Sequence, residues 1–191
     1  PTSAPLVPEG AGEHDVVTID RVRLTVFSKD GRVLARARDP ESPRRTEFRG
    51  LEHFPLDPAY RVEGRWEPYP EPREVAVPSS QGPPRTALAP GLVRFRLGGE
   101  ELTLEPTVES REDDTLFFVF ADATSAAESY GGGRILPVPR PSPGVDRVVL
   151  DFNLAETPPC SLTPYASCPM ALPRNTLPVR VEAGEKAPAA H

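Results

Sequence analysis

The chain has 191 residues and a formal net charge of −6, long enough for one ordinary domain to bury a core without disulfide or metal staples. Proline (26) and glycine (14) together supply about a fifth of it, which disfavours long helices because proline removes a backbone donor and clashes with the preceding turn. The acidic balance leaves no electrostatic footprint for nucleic acid, and the longest apolar run, Leu116–Ala121, is far short of the roughly 20 residues of a transmembrane helix.

Residues 1–15 have no period and are rich in proline, glycine and alanine, so they read as a flexible tail or tether. Such a stretch suits the mature end of an exported or lipoprotein-like chain and equally a cytoplasmic terminus. From Val16 the pattern alternates, and Lys29-Asp30-Gly31-Arg32 predicts a hairpin of Val16–Ser28 with Val33–Asp39, with a slip near Asp20 and Arg21. Arg32, Arg36, Arg38, Arg44, Arg45 and Arg49 interleave with Asp39, Glu41 and Glu47 as a solvated mixed-charge face. Pro40–Pro58 is irregular, Tyr60–Trp66 and Glu74–Val77 read as strands, and Pro78–Pro90 reads as a loop. Gly98-Gly99 predicts a second hairpin, Leu92–Leu97 with Glu101–Leu104. Thr115–Phe120 is apolar after its threonine, which predicts a strand covered on both faces. Val148–Asn153 places Val148, Leu150 and Phe152 on one face and Asp151 and Asn153 on the other. Leu177–Val181 reads as a last strand, with one helical turn at most near Ala123–Ser129. The expectation is an all-β chain of about nine mostly antiparallel strands, a sandwich or flattened barrel with long proline-rich loops. One domain spans 16–186, and 187–191 trail as a disordered end.

Polar chemistry concentrates in the last third. Gly131-Gly132-Gly133-Arg134 can converge backbone N–H groups and a guanidinium fork on a carboxylate or phosphate, or can be a mobile turn with an exposed arginine. Asp151 and Asn153 stand beside a proline-locked loop, where they either preorganise a polar site or cap turns. Cys160 and Cys168 are the only cysteines, with seven residues between them. A disulfide between them would close a short loop and stabilise by roughly 2.5 kcal/mol. A nucleophilic role for Cys160 or Cys168 needs a base, for which His53 is the candidate, and an electropositive neighbour, for which Arg134 is the candidate. A metal reading needs two more ligands, and only His53 offers itself, so no metal is assigned. No cofactor motif is present.

The runs FVFADATSAAESYGGGR, VVLDFN, PPCSLTPYASCP and NTLPVRVEAGEK, with FRGLEHFPLDPAYRVEGRW upstream, resemble the bacterial family grouped as domain of unknown function 1684. The resemblance covers most of Val16–Lys186. It implies featured positions at Asp122, Thr124, Tyr130, Gly131, Gly133, Arg134, Asp151, Asn153, Pro159, Cys160, Tyr165, Cys168, Pro169, Asn175, Gly184 and Glu185. The chain departs from the family pattern at Ala126, where glycine is usual, and at Thr157, where asparagine is usual. Cytoplasmic and lipoprotein-like exported forms both occur in the family, so the compartment stays open. Three readings follow. A small-molecule module would hold an acidic group through Tyr130, Gly132, Gly133, Arg134, Asp151, Asn153, Tyr165, Asn175 and Glu185. A cysteine-dependent enzyme or redox protein would use Cys160 or Cys168. A purely architectural motif block would have no site.

Overall fold

A computed structural model describes residues 5–10, 12–29 and 31–188. Nine strands appear among them, in three antiparallel sheets with no closed barrel, and the all-β class is as expected. Among the described residues no helix is long and apolar enough to cross a membrane. The chain forms two compact units, Pro1–Arg49 and Gly50–His191.

In the first unit, β1 (Val17–Ile19), β2 (Val22–Lys29) and β3 (Arg32–Arg38) form a meander. The slip near Asp20 is a reversal: Asp20 adopts φ +55°, and Ile19 pairs with Val22, so the predicted first strand is two. The turn into β3 carries Gly31 at φ +72°, while Asp30 lies outside the described residues. The stretch read as a tail is tied down where it is described. Glu9 N–H donates to Val26 O at 2.7 Å, and the Glu9 carboxylate pairs with Arg36 and Arg38. Pro43–Thr46 forms a single helical turn, α1.

In the second unit, the segments read as Tyr60–Trp66 and Glu74–Val77 are one strand, β4 (Arg61–Val77), interrupted by a register shift between Pro68 and Arg73. Prolines 68, 70 and 72 remove ladder donors there, and the strand bulges to accommodate them. It pairs with β5 (Arg85–Leu97), which begins inside the segment read as loop. The Gly98-Gly99 hairpin is as expected, leading to β6 (Glu100–Leu104), and β9 (Arg147–Asp151) completes the order β6-β5-β4-β9. A separate ladder pairs β7 (Thr115–Phe120) with β8 (Arg134–Pro139). Sequence reading missed β8, because Pro137 and Pro139 argue against a strand; here each stands in a two-stranded ribbon with a free edge. Phe117 is 42% exposed, so β7 is covered on one face over most of its length rather than on both.

The two sheets share one core. Val93, Phe95, Leu104, Leu150 and Phe152 of the larger sheet and its continuation meet Leu116, Phe118, Phe120 and Leu136 of the ribbon. The Phe152 ring sits 5.2 Å from Phe120, edge-on, and 5.7 Å from Phe95. Leu177–Val181, expected as a strand, forms no ladder. It is irregular chain, bent at Pro178 and Val179, pinned by Leu177 N–H to Ala121 O (2.8 Å) and Ala123 N–H to Val179 O (3.0 Å).

The connection from β7 to β8 is a chain of tight turns through residues 122–133. Exposed Ala126 there takes φ +68°, in the left-handed region that costs an L residue about 1–2 kcal/mol. Glycine would be unstrained there. Ala126→Gly is therefore expected to stabilise the fold by about 1 kcal/mol, read as a higher urea midpoint at unchanged m-value.

Candidate functional site

Arg134 opens β8 and points into the core, with its side chain 1% exposed. One Nη2–H donates to Asp122 Oδ2 at 2.8 Å and the other to Val181 O at 2.8 Å. Nη1 donates to Ala183 O and, at 3.5 Å, to Glu185 O. The rings of Phe120 and Phe54 lie 5.2 and 5.6 Å from the guanidinium carbon. Asp122, fully buried, also accepts from Thr124 N–H (2.7 Å) and Val181 N–H (3.2 Å). The four Nη hydrogens thus end on protein acceptors, while Nε is buried with no hydrogen-bond partner among the described residues. An exposed arginine on a mobile turn is not what forms; this one is an interior clamp on residues 181–185.

Gly132 and Gly133 hold the turn that feeds Arg134 into the sheet. Gly133 has φ +98°, and a Cβ there would stand 2.7 Å from Phe120 O. Gly132 O accepts Ala171 N–H at 3.0 Å, which draws in the loop that carries the cysteines. That loop lies along residues 78–81. Ser80 N–H donates to Cys168 O (2.9 Å), Cys168 N–H to Ser80 Oγ (3.0 Å), and Met170 N–H to Pro78 O (2.8 Å). Sequence reading missed Ser79, Ser80 and Gln81 as partners, since they lie more than 80 positions upstream of the loop and no local spacing connects them.

Pro159 starts a short 3-10 turn, Pro159–Ser161, which turns Cys160 back toward Cys168. Cys160 N–H donates to Cys168 Sγ at 3.3 Å, and Cys160 Sγ lies 3.5 Å from Tyr130 Oη. Both cysteines are free thiols, Cys168 buried and Cys160 partly exposed. Burial, reinforced by the hydrogen bond with Cys160, pushes the Cys168 thiol up to about 11. The Cys160 hydrogen bond, with burial second, pushes the Tyr130 phenol up to about 12. Both groups are neutral at physiological pH. Tyr165 stands at the loop tip, 89% exposed.

The remaining predicted residues separate into other clusters. Asn153 Nδ2 donates to Asp151 Oδ1 (2.9 Å) and to Asp57 O (3.0 Å), while Asn153 Oδ1 accepts Asp57 N–H (3.1 Å). Asp151 and Asn153 thus fasten the 57–60 turn. Glu185 Oε2 accepts Thr157 N–H at 2.6 Å, and Glu185 Oε1 is 3.8 Å from His53 Nε2. His53 is therefore beside Glu185, and no hydrogen bond joins it to a thiol. Asn175, 1% exposed, accepts Glu105 N–H (2.9 Å) and donates to Glu105 O (2.8 Å) and Val119 O (3.0 Å), a side chain acting as a strand edge. Among the described residues no three of His, Cys, Asp and Glu are grouped to hold a metal ion. A hollow of about 600 Å³ lies open on β4–β6 between Arg65, Glu67, Arg94 and Glu101, and shares no residue with the thiol cluster.

A profile of the family described as "Protein of unknown function (DUF1684)" matches residues 46–186. The chain belongs to this family. The match takes in the whole of the second unit's described strands and every cluster named above. Solved structures are similar too, among them the solution NMR structure of an uncharacterised protein of Haloarcula marismortui. It is 35% identical, with 80% of this chain and 83% of that one aligned at a TM-score of 0.64. No curated protein matches the chain.

Two outcomes follow for this family member. Asp122→Ala leaves the Arg134 guanidinium buried and unpaired and is expected to cost about 3–5 kcal/mol, measured by urea denaturation. The Cys168 thiol, raised from 9.0 to about 11, carries about 100-fold less thiolate near neutral pH than an unperturbed cysteine. Its native-state alkylation is expected to be slower in proportion and to keep rising with pH until about 11, whereas an unperturbed thiol would level off near 9. Because the folded thiol holds its proton more tightly, its contribution to stability is complete below pH 9 and is lost as pH rises toward 11.

Proposed function

We propose that this chain is a small redox-responsive binding module, in which Cys160 and Cys168 cycle between dithiol and disulfide and so set the rigidity of the loop that presents Tyr165. The observation that carries the reading is the 3.3 Å approach of Cys160 N–H to Cys168 Sγ. The asymmetry between the cysteines fits ordered exchange with a low-molecular-weight disulfide. The partly exposed Cys160 thiolate attacks that disulfide, expelling one thiol and leaving a mixed disulfide. Cys168, losing its proton, then attacks the Cys160 sulfur and expels the second thiol. Two electrons and two protons leave the cysteines and the external disulfide becomes two thiols.

The high proton affinity of Cys168 supports a slow switch over a turnover nucleophile, and His53, paired with Glu185, gives the enzyme reading no base at the sulfur. The acidic-ligand reading draws no support from Arg134, whose Nη donors all face protein acceptors. These contacts for Asp122 and Arg134, with the backbone contacts of Asn153 and Asn175, favour the architectural reading for those residues, and the two readings coexist, since neither uses the other's residues.

The test is equilibration of the intact chain with reduced and oxidised glutathione, followed by acid quench and intact mass. The expected result is a loss of two hydrogens at oxidising poise, reversed on reduction and absent in Cys160→Ser. Closing this short loop is expected to stabilise by about 2.5 kcal/mol on the chain-entropy relation, seen as a higher Tm. A chain that keeps two thiols at every poise, or forms only stable glutathione adducts, overturns the proposal.

A further inference from the structure

The bulge in β4 builds a second polar cluster that sequence reading did not single out. Tyr69, the first bulged residue, turns its phenol onto Glu105 and donates to Oε1 at 2.6 Å. Bulges re-aim side chains in this way, and they gather beside functional sites. Glu105 follows the end of β6 and is 2% exposed, yet it carries a carboxylate. Its backbone is gripped on both sides by the Asn175 side chain, which also fixes the adjoining Arg174 above it. Arg174 Nη1 donates to the same Oε1 at 3.0 Å, while that side chain remains 59% exposed. Arg73, at the far end of the bulge, stacks its guanidinium 3.6 Å from the centre of the Tyr69 ring.

Glu105 Oε2 is buried and has no hydrogen-bond partner among the described residues. A buried acceptor left unmatched costs about 1–3 kcal/mol or more when charged, so the position calls for an N–H or O–H donor. Above it two guanidiniums lie toward solvent, Arg73 stacked on the Tyr69 ring and Arg174 engaged through one nitrogen. Their remaining donors suit an anion, and a carboxylate matches the guanidinium fork. The site therefore asks for both polarities within one small molecule.

We propose that the β4 bulge, through Tyr69, Arg73, Glu105 and Arg174, binds a small carboxylate that bears an adjacent hydrogen-bond donor, an amino or hydroxy acid. The carboxylate lies on Arg174 and Arg73, and the amine or hydroxyl donates to Glu105 Oε2. Tyr69 occupies Oε1 and so directs the incoming donor to the other oxygen. Burial, with the Glu105 hydrogen bond second, raises the Tyr69 phenol above its usual value, which keeps it a donor throughout the physiological range. Arg174, the solvent-side covering of the carboxylate, is the side chain that shifts to admit the ligand.

The experiment is titration of the 15N-labelled full chain with glycine, glycolate and acetate in turn, following backbone amide shifts. Saturable shifts at Glu105 and Arg174 with glycine or glycolate, and at least tenfold weaker binding of acetate, are expected. Whichever of the first two acts separates an amino acid from a hydroxy acid. Arg174→Ala, at an exposed position, is expected to fold and to bind about tenfold more weakly, the loss of one charge-assisted hydrogen bond. Glu105→Gln, which can place an N–H where the acceptor stood, is expected to abolish the preference over acetate. The proposal is overturned if neither glycine nor glycolate gives a saturable shift, if acetate binds as well as they do, or if Arg174→Ala binds as the wild type does.

Discussion

Taking a guanidinium out of water costs several kcal/mol unless its hydrogens find charged or carbonyl acceptors, and much of the second unit is arranged around meeting that requirement for Arg134. Asp122 supplies the charge at 2.8 Å. Val181 and Ala183 supply carbonyls from a segment that has no sheet of its own to join. The glycine turn before Arg134 lets its backbone approach Phe120 and Ala171 closely enough to aim the side chain inward. Three pieces of chain distant in sequence are thereby fixed at one point, and the thiol loop, the β7–β8 ribbon and the 181–185 segment all take their positions from it.

The same economy of side chain for backbone recurs. Asn175 completes the edge of β6 and touches β7; Asn153 fastens the 57–60 turn to the end of β9. In a chain with so many prolines the backbone cannot close its own hydrogen bonds continuously. Amide side chains, which present one donor face and one acceptor face, replace the missing ladder rungs. Several residues that look like ligand-binding polar groups in the sequence are occupied in this way, with the protein's own backbone as their ligand.

Legibility in the sequence followed the range of the interaction. The Gly98-Gly99 hairpin, the strand at Val148 and the all-β class rest on near neighbours and alternation, and could be read directly. The unity of β4 could not, because its three prolines look like a break when the paired strand is unknown. Nor could β8, whose Pro137 and Pro139 sit on a free edge that only the topology reveals. At the site, the proximity of Cys160 and Cys168 was legible from seven intervening residues and flanking prolines. Arg134 was read as open to a ligand or to solvent because three of its four acceptors are carbonyls, and a carbonyl has no letter in a sequence. Tyr69 with Glu105 was invisible for a related reason: 36 positions and a bulge separate them.

The clamp on residues 181–185 has a bearing on how the molecule breathes. Residues 171–187 contain no strand and are held by single hydrogen bonds to many different elements. Ordinarily such chain frays one amide at a time. Here three of its carbonyls share one guanidinium, so releasing any of them strands a buried charge and loosens the rest. The end of the chain should therefore open all at once or hardly at all, giving a coil segment the hydrogen-exchange behaviour of a cooperative folding unit.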